Sequence, residues 1–323
     1  MRIAPASDPE ALDRAVESLG AGELVAFPTE TVYCLGADGT QPAAVEAIFR
    51  VKDRPRTSAL IAHVLDYREA LELVEGNPLA ERLTTVFWPG PLTLVLPRRP
   101  DCPVAEAMSG GRGTLAVRSP SDPVARRLIG ALGRPIAAPS ANPTGGLSPT
   151  TAAQVVEGLG ERVPTILDGG ACRVGIETTV VDLVGSNLEG GSDGRPEVRI
   201  LRLGPTSPEA LAEVVRGRML VPPSPGPPRR PKTRLPVRLD CEAAPPGHAL
   251  LGLGGTPGAI LDLSPAGDLH EAGANLFDFL RRLDDPERFA GIAVAPIPER
   301  GLGWAIRDRL LRCHPVVLEE PPS

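Results

Sequence analysis

Lys52 and Arg54 set two cations two residues apart. A polyphosphate requires such a pair: arginine grips phosphate oxygens with a planar fork, and lysine brings a mobile point charge. Arg50 and Arg56 flank them and read as surface. Far along the chain, Ser140 and Asn142 follow the apolar run Ile136-Ala137-Ala138. This reads as a strand running into a ligand-facing turn, whose hydroxyl and amide alternate toward one side and suit phosphate, ribose or a bound metal. A third island, Asp168-Gly169-Gly170-Ala171-Cys172-Arg173-Val174-Gly175-Ile176-Glu177-Thr178-Thr179, reads as a flexible loop that re-enters a strand. Each island alone is ordinary, since most Lys-x-Arg pairs are solvated surface. Together, in this order, they describe a site for an anion or a small polar ligand.

Other residues extend the pattern. Thr29, Glu30, Thr31 and Tyr33 follow a buried strand, where open α/β sheets commonly build sites. The plainer alternative is a turn whose threonines bond their own backbone. His63 sits inside an apolar strand, where a lone histidine is ordinarily a satisfied core residue. Arg118 ends another apolar strand and must find an anion or emerge into solvent. Thr114, four residues earlier, shares its strand face by the period of two. Ser148 stands near a helix start, suited to an N-cap or to donating to phosphate.

The elements that position these groups follow from patterning. Asp8 caps and Pro9 opens a first helix, with Ala11, Leu12, Ala15, Val16 and Leu19 as its apolar stripe. Strands are expected at 24–27, 59–64, 92–96, 114–118, 135–138, 164–167, 178–184 and 197–201. Helices are expected at 42–50, 66–74, 77–86, 123–132, 150–159 and 208–216. Strands and helices alternate without a strict βαβ rhythm, so the fold class is α/β, a twisted mixed sheet with helices packed on it. Residues 216–236 are rich in proline and arginine and read as a linker. Beyond them, 249–253, 258–263, 274–283, 292–295 and 303–312 read β, β, α, β, α. The chain thus divides into 1–215, a linker 216–236, and a small α/β domain 237–323.

Composition agrees with two soluble domains. The 323 residues are 42% hydrophobic, enough for real cores, and only 3% aromatic, so those cores are built from Val, Leu, Ile and Ala. A formal net charge of −6 argues against bulk electrostatic gripping of nucleic acid and leaves room for a local basic cleft. Five scattered cysteines without a Cys-x-x-Cys pair read as reduced thiols, and the four histidines lack zinc spacing. No apolar signal segment opens the chain and no stretch approaches about 18 apolar residues. A cytoplasmic protein with no membrane partner is expected.

The islands, with longer segments around them, resemble the YrdC family, the threonylcarbamoyl-AMP synthases. Residues 24–37, LVAFPTETVYCLGA, are similar to the family's first strand and its Pro-Thr-Glu-Thr-Val-Tyr turn. Leu60-Ile61-Ala62-His63-Val64 is similar to the strand carrying the family histidine. Trp88-Pro89-Gly90-Pro91-Leu92-Thr93, Leu115-Ala116-Val117-Arg118, Ala138-Pro139-Ser140-Ala141-Asn142, Ser148-Pro149-Thr150-Thr151 and Ile200-Leu201-Arg202 also match. The resemblance runs over about residues 8–215. A weaker likeness at 298–310 is similar to the close of the small C-terminal domain in long, two-domain members.

The resemblance implies a YrdC-like open sheet with a concave, positively charged face, plus a small Rossmann-like C-terminal domain. It implies an L-threonylcarbamoyladenylate synthase, a nucleotidyltransferase making threonylcarbamoyl-AMP and pyrophosphate from L-threonine, bicarbonate or CO2, and ATP. Lys52 and Arg54 would be its catalytic cations. Thr29, Thr31, His63, Arg118, Ala138 and Thr178 would contact threonine, with Arg118 on its carboxylate. Lys52, Arg54, Ser58, Thr114, Ser140, Asn142, Ser148 and Arg202 would contact ATP. Mg2+ would ride on ATP, with no protein side chain assigned to it. The product would feed a tRNA threonylcarbamoyl transferase complex for threonylcarbamoyladenosine (t6A) modification, with weak or no direct tRNA contact.

The chain departs from the family pattern at several places. Cys34 stands where glycine is usual. It costs strain if that position needs a positive φ, and narrows the pocket if the glycine only permits close packing. Ser58 and Ala59 stand where many members carry Asn and Pro, and Thr178 replaces a serine. The His-Tyr-Ala-Pro segment expected after Ser224-Pro225-Gly226 is missing, and an arginine from 229–234 is the candidate to replace its tyrosine lid. Two rival readings stay open: a carbamoyl-adenylate-forming carbamoyltransferase paralogue that uses carbamoyl phosphate, and a non-catalytic RNA-binding module.

Overall fold

The computed structural model describes residues 2–188, 194–221 and 232–313. Contacts divide the chain into two compact units, 1–144 with 148–222, and 145–147 with 223–323.

The first unit opens on β1 (Arg2–Pro5) and α1 (Pro9–Gly20). Asp8 accepts from the Glu10 amide, Pro9 fills the first turn, and Ala11, Leu12, Ala15 and Leu19 are buried, as the capping pattern predicts. There follow β2 (Val25–Phe27), β3 (Cys34–Asp38), α2 (Pro42–Lys52), β4 (Ile61–His63), α3 (Tyr67–Leu71), α4 (Pro78–Phe87) and β5 (Leu92–Pro97). The chain continues through β6 (Thr114–Arg118), α5 (Pro123–Leu132), β7 (Ile136–Ala137), α6 (Ala152–Leu159) and β8 (Thr165–Asp168). The unit closes with β9 (Thr179–Asn187), β10 (Glu197–Arg202), α7 (Pro208–Val215) and β11 (Arg218–Leu220).

Eleven strands join in one sheet, in the order β1-β8-β2-β3-β7-β4-β6-β5-β9-β10-β11. The sheet is mixed: β4 runs parallel to β6 and β5 to β9, while β3, β7 and β4 alternate in direction. Side chains alternate across it as a strand requires. In β6, Leu115 and Val117 are buried, while Thr114 and Ala116 on the other face are half-buried. In β10, Val198 and Ile200 are buried and Leu201 is 44% exposed. One sheet face therefore remains open to ligands.

Three strands of the first unit escape the sequence reading, as does a two-residue strand at 237–238 in the second. β3 is buried at every position, so it shows no alternation, and Gly36 sits at its centre. That glycine is needed for close packing: a Cβ there would lie 2.6 Å from the Phe27 ring and 3.1 Å from Ile136. β1 and β11 are short edge strands with exposed residues. β11 begins inside the segment that reads as a linker. Residues 222–231, including Ser224-Pro225-Gly226, Arg229 and Arg230, lie outside the described residues.

The second unit contains β12 (Val237–Arg238), β13 (His248–Gly252), β14 (Leu261–Asp262), α8 (Leu269–Leu283), β15 (Gly291–Val294) and α9 (Gly303–Leu311). Its four strands are all parallel, in the order β12-β15-β13-β14, a small α/β domain. α8 starts five residues before its apolar stripe suggests, because Asp268 caps it by accepting from His270 and Glu271. Lys232, at the edge of the described chain, donates its amide to the Cys313 carbonyl, and its ammonium lies 5.9 Å from the centre of the Phe277 ring. The glycine-rich turn after β13 resembles an anion nest, but the Asp262 carboxylate already accepts the Gly255 and Thr256 amides.

The turn after β10 gives a stability prediction. A Cβ on Gly204 would fall 2.2 Å from the Thr179 nitrogen and 2.7 Å from the Glu177 oxygen. Both are backbone atoms and cannot swing away. Gly204→Ala should destabilise the first unit by about 1–3 kcal/mol, the usual cost of overpacking. A thermal unfolding midpoint equal to wild type would show that this backbone yields freely.

Candidate active site

A cavity of about 280 Å3 opens on the sheet face. Its floor is apolar, from Ile61, Val95, Ala116, Ala138 and Val180. Its polar walls are Thr31, Arg54, Arg118, Ser140, Glu177, Thr178 and Arg202. Strand register assembles these distant segments: Ile61 pairs with Ala116, His63 with Arg118, and Cys34 bridges to Ser140. A larger groove of about 750 Å3 lies between Tyr67, Trp88 and Arg126. There Trp88 donates to the Leu92 carbonyl, Arg126 to the Leu65 and Pro120 carbonyls, and Asn77 caps α4. Size favours that groove, but chemistry favours the smaller cavity, where charged groups converge.

Arg118 anchors one end. It is 2% exposed, and its Nη2 donates to Glu30 Oε1 at 2.7 Å and to Thr31 Oγ1 at 3.0 Å. Glu30 is equally buried, and its other oxygen accepts from the Ser121 amide at 3.2 Å. Arg118 Nε is buried with no hydrogen-bond partner. The neighbouring turn satisfies itself: Thr29 Oγ1 bonds the Val32 carbonyl at 2.7 Å and accepts from the Thr31 and Val32 amides. Thr29 therefore shapes the turn, and Thr31 reaches the cavity. His63 is fully buried beside Arg118, its Nδ1 3.4 Å from the Ile61 carbonyl. Burial, with Arg118 adding to it, pushes its pKa down to about 3, so the imidazole is neutral at ordinary pH.

Lys52 and Arg54 turn out to face different ways. α2 ends at Lys52, and Asp53 takes a left-handed conformation, φ 50° and ψ 49°, before Arg54. Arg54 lines the cavity, its Nη2 donating to the Ala59 carbonyl at 2.9 Å and its Nε buried without a partner. Lys52 is 1% exposed, and its ammonium donates to the carbonyls of Ser140 and Asn142. Its own carbonyl accepts the Thr144 amide at 2.8 Å. Burial and then Arg54 push the Lys52 pKa down to about 7. Lys52 thus ties the 140–144 loop to α2 from behind the cavity wall.

The opposite wall is a chain of polar contacts. Arg202 donates through Nε to the Thr178 carbonyl at 2.8 Å and through Nη2 to Thr178 Oγ1 at 2.7 Å. Thr178 Oγ1 lies 2.8 Å from Thr93 Oγ1, a buried hydroxyl that in the sequence looks like strand core. Ser148 donates to Glu177 Oε1 at 2.5 Å, so Ser148 stands behind that carboxylate. Glu177 was open to notice in its Glu-Thr-Thr island.

Of the residues expected at the site, Thr31, Arg54, Arg118, Ala138, Ser140, Thr178 and Arg202 line the cavity. Thr29, Lys52, His63, Asn142 and Ser148 stand behind it. Ser58 and Thr114 adjoin it, next to Ala59 and two residues from Ala116. Cys34 lines it without a positive φ among the described residues, paired to Phe27 in the sheet. It therefore narrows the pocket rather than straining the backbone, and burial raises its thiol pKa to about 11. Among the described residues no group of three His, Cys, Asp or Glu is placed to hold a metal, and no helix is long and apolar enough to cross a membrane.

Known proteins resemble the chain in sequence and fold. The Sua5/YciO/YrdC family profile, described as "Telomere recombination", matches residues 17–204, and that of the "Threonylcarbamoyl-AMP synthase, C-terminal domain" matches 206–313. The threonylcarbamoyl-AMP synthase of Pyrococcus abyssi is 48% identical over 163 residues, 50% of this chain and 47% of its own. That of Bacillus subtilis is 43% identical over 176 residues, 54% of this chain and 50% of its own. The chain thus spans about half the length of these curated relatives in the matched region. A crystal structure of P. abyssi Sua5 complexed with L-threonine superimposes with a TM-score of 0.83 at 31% identity, over 97% of each chain. The chain belongs to the Sua5/YciO/YrdC family, in its long form with the Sua5 C-terminal domain.

Proposed function

We propose that the chain is an L-threonylcarbamoyladenylate synthase, acting on L-threonine, bicarbonate or carbon dioxide, and ATP. One observation carries the reading: Arg118 and Arg54 line the same cavity, and each keeps a buried Nε without a partner. A buried donor left unpaired is costly, so each position calls for an acceptor, and charged acceptors bind most strongly. A carboxylate at Arg118 and a phosphate at Arg54 answer both. The names of the relatives and the threonine-bound P. abyssi structure support the amino-acid end.

In this reading Arg118 holds the threonine carboxylate, with Thr31 beside it and Glu30 balancing part of its charge from behind. His63, neutral, lends a hydrogen bond without adding charge. The threonine amine condenses with bicarbonate, releasing water and leaving a carbamate. A carbamate oxygen then attacks the α-phosphorus in line. The bond to the bridging oxygen breaks, and its electron pair leaves on pyrophosphate. No side-chain nucleophile is needed, and Cys34, with its raised pKa, is no thiolate. Catalysis is positioning plus neutralisation of charge. Arg54 supplies a cation, and Mg2+, arriving with ATP as part of the substrate, shares that neutralisation. Lys52 acts through the loop it ties, holding Ser140 and Asn142 in place. The product, a mixed anhydride, suits a transferase that passes its threonylcarbamoyl group to tRNA. Pyrophosphate release measured with ATP and bicarbonate should require threonine; release driven instead by carbamoyl phosphate, or none with threonine, would contradict the proposal.

Two variants separate the ends of the site. Arg118→Ala should weaken L-threonine about ten-fold or more and leave ATP nearly unchanged, while Arg54→Ala should do the reverse, each losing a charge-assisted bond. Calorimetry of each ligand decides; equal weakening of both ligands in either variant would break the assignment.

Lys52 predicts a pH effect on stability. Its folded pKa of about 7 lies below the ordinary 10.5. Between those values the unfolded chain binds the extra proton, so stability rises with pH across this window. Below it both states are protonated and the destabilisation is constant. Lys52→Met should flatten the rise in unfolding midpoint above pH 7, and parallel curves would mean that Lys52 is solvated.

A further inference from the structure

Ala59 of the cavity wall is approached from outside by a short glycine-rich turn, Gly110-Gly111-Arg112-Gly113, that the mechanism has not used. This turn packs on the segment that carries Arg54. A Cβ on Gly110 would lie 2.7 Å from the Thr57 carbonyl oxygen and 3.0 Å from the Ala59 nitrogen. Arg112 Nη1 donates to the Thr57 carbonyl at 3.3 Å, and Arg54 Nη2 to the Ala59 carbonyl at 2.9 Å. Two guanidinium groups are therefore anchored on one three-residue stretch. The half-buried hydroxyls of Ser58 and Thr114 belong to the same junction. Independently, Arg54 Nε is buried there without a partner. Gly110 and Gly111 both have positive φ, 60° and 79°, and a Cβ on Gly111 or Gly113 would meet nothing within 4 Å. The turn thus presents Arg112 from a backbone with open space around it.

We propose that Arg112 is a further binding residue of the site, gripping the two outer phosphates of the nucleoside triphosphate and the pyrophosphate they become. This rests on the synthase reading above. Arg118, which takes the amino acid, stands four residues from Thr114, about 13 Å along β6 at the usual strand rise. The α-phosphorus must meet the carbamate near Arg118. The two outer phosphates, continuing away from it, come to the Thr114 end, between Arg54 and Arg112. As the bond from the α-phosphorus to its bridging oxygen breaks, the electron pair moves onto pyrophosphate. The developing negative charge then lies between two arginines, a planar fork suited to phosphate oxygens on each side. Arg112 is exposed, so swinging onto this ligand exchanges one surface hydrogen bond, that to the Thr57 carbonyl, for a charged one.

The test uses the full chain, with ATP, inorganic pyrophosphate, AMP and L-threonine as calorimetric probes. Arg112→Ala should weaken ATP and pyrophosphate about ten- to a hundred-fold, the loss of one charge-assisted contact. AMP and L-threonine, which lack the outer phosphates, should bind as in wild type, and Arg112→Lys should restore part of the loss. If wild type binds ATP and Arg54→Ala weakens it while Arg112→Ala does not, the Arg112 proposal falls and the synthase reading stands. If Arg112→Ala weakens AMP as much as ATP, the residue acts on the whole nucleotide and the outer-phosphate assignment is overturned. If wild type binds neither ATP nor pyrophosphate, the synthase reading itself fails.

Discussion

The ion pair between Glu30 and Arg118 is the interaction on which the site depends. It is 2.7 Å long with both side chains about 3% exposed. Two charges taken out of water at such depth are costly, and removing either partner of such a pair typically destabilises by about 3–5 kcal/mol. The pair joins three segments that are otherwise remote: the turn after β2, the end of β6, and the start of the α5 lead-in through the Ser121 amide. Thr31 is drawn into the same cluster by its bond from Arg118. Glu30 thereby fixes where the guanidinium points and leaves its buried Nε without a partner. The neutral His63 beside it fits this economy of charge, since a second cation there would be repelled by Arg118.

The rest of the site can be understood as walls built around that fixed point. β3 brings Cys34 and the Ser140 loop alongside, held by the sheet bridge and by Lys52 from behind. β9 and β10 bring Thr178 and Arg202, locked to one another through two hydrogen bonds and backed by Thr93. The floor between them is apolar because Ala116, Ile61 and Val180 are the cavity-facing residues of their strands. Such a floor suits a planar base or a short aliphatic chain, and the polar walls fix orientation.

Much of this was legible in the sequence. Arg118 and Thr114 could be set on one face of one strand by period alone, and Ser140, expected in a turn after a buried strand, lines the cavity. The capped helices, α1 and α5 above all, followed from Asp-Pro pairs before an apolar stripe. Depth was not legible. Lys52 looks like half of a phosphate grip because spacing in sequence does not reveal the left-handed turn at Asp53, which sends Lys52 inward and Arg54 outward. Thr93 looks like one more strand residue, because the hydroxyl that meets it comes from 85 positions further on. β3 shows no alternation to read, since it is buried throughout and its Gly36 leaves room for the Phe27 ring. The resemblance to a known family supplied the open sheet, which no local pattern encodes.

The central claim is that one cavity holds an amino-acid carboxylate at Arg118 and nucleotide phosphates at Arg54 at the same time. A crystal structure of the full chain soaked with L-threonine and a non-hydrolysable ATP analogue tests it directly. The account predicts the carboxylate within hydrogen-bond distance of Arg118 Nε and a phosphate oxygen on Arg54 Nε, with the threonine amine pointing toward the α-phosphorus. Threonine and nucleotide found at separate sites, or competing for one of the two arginines, would contradict it.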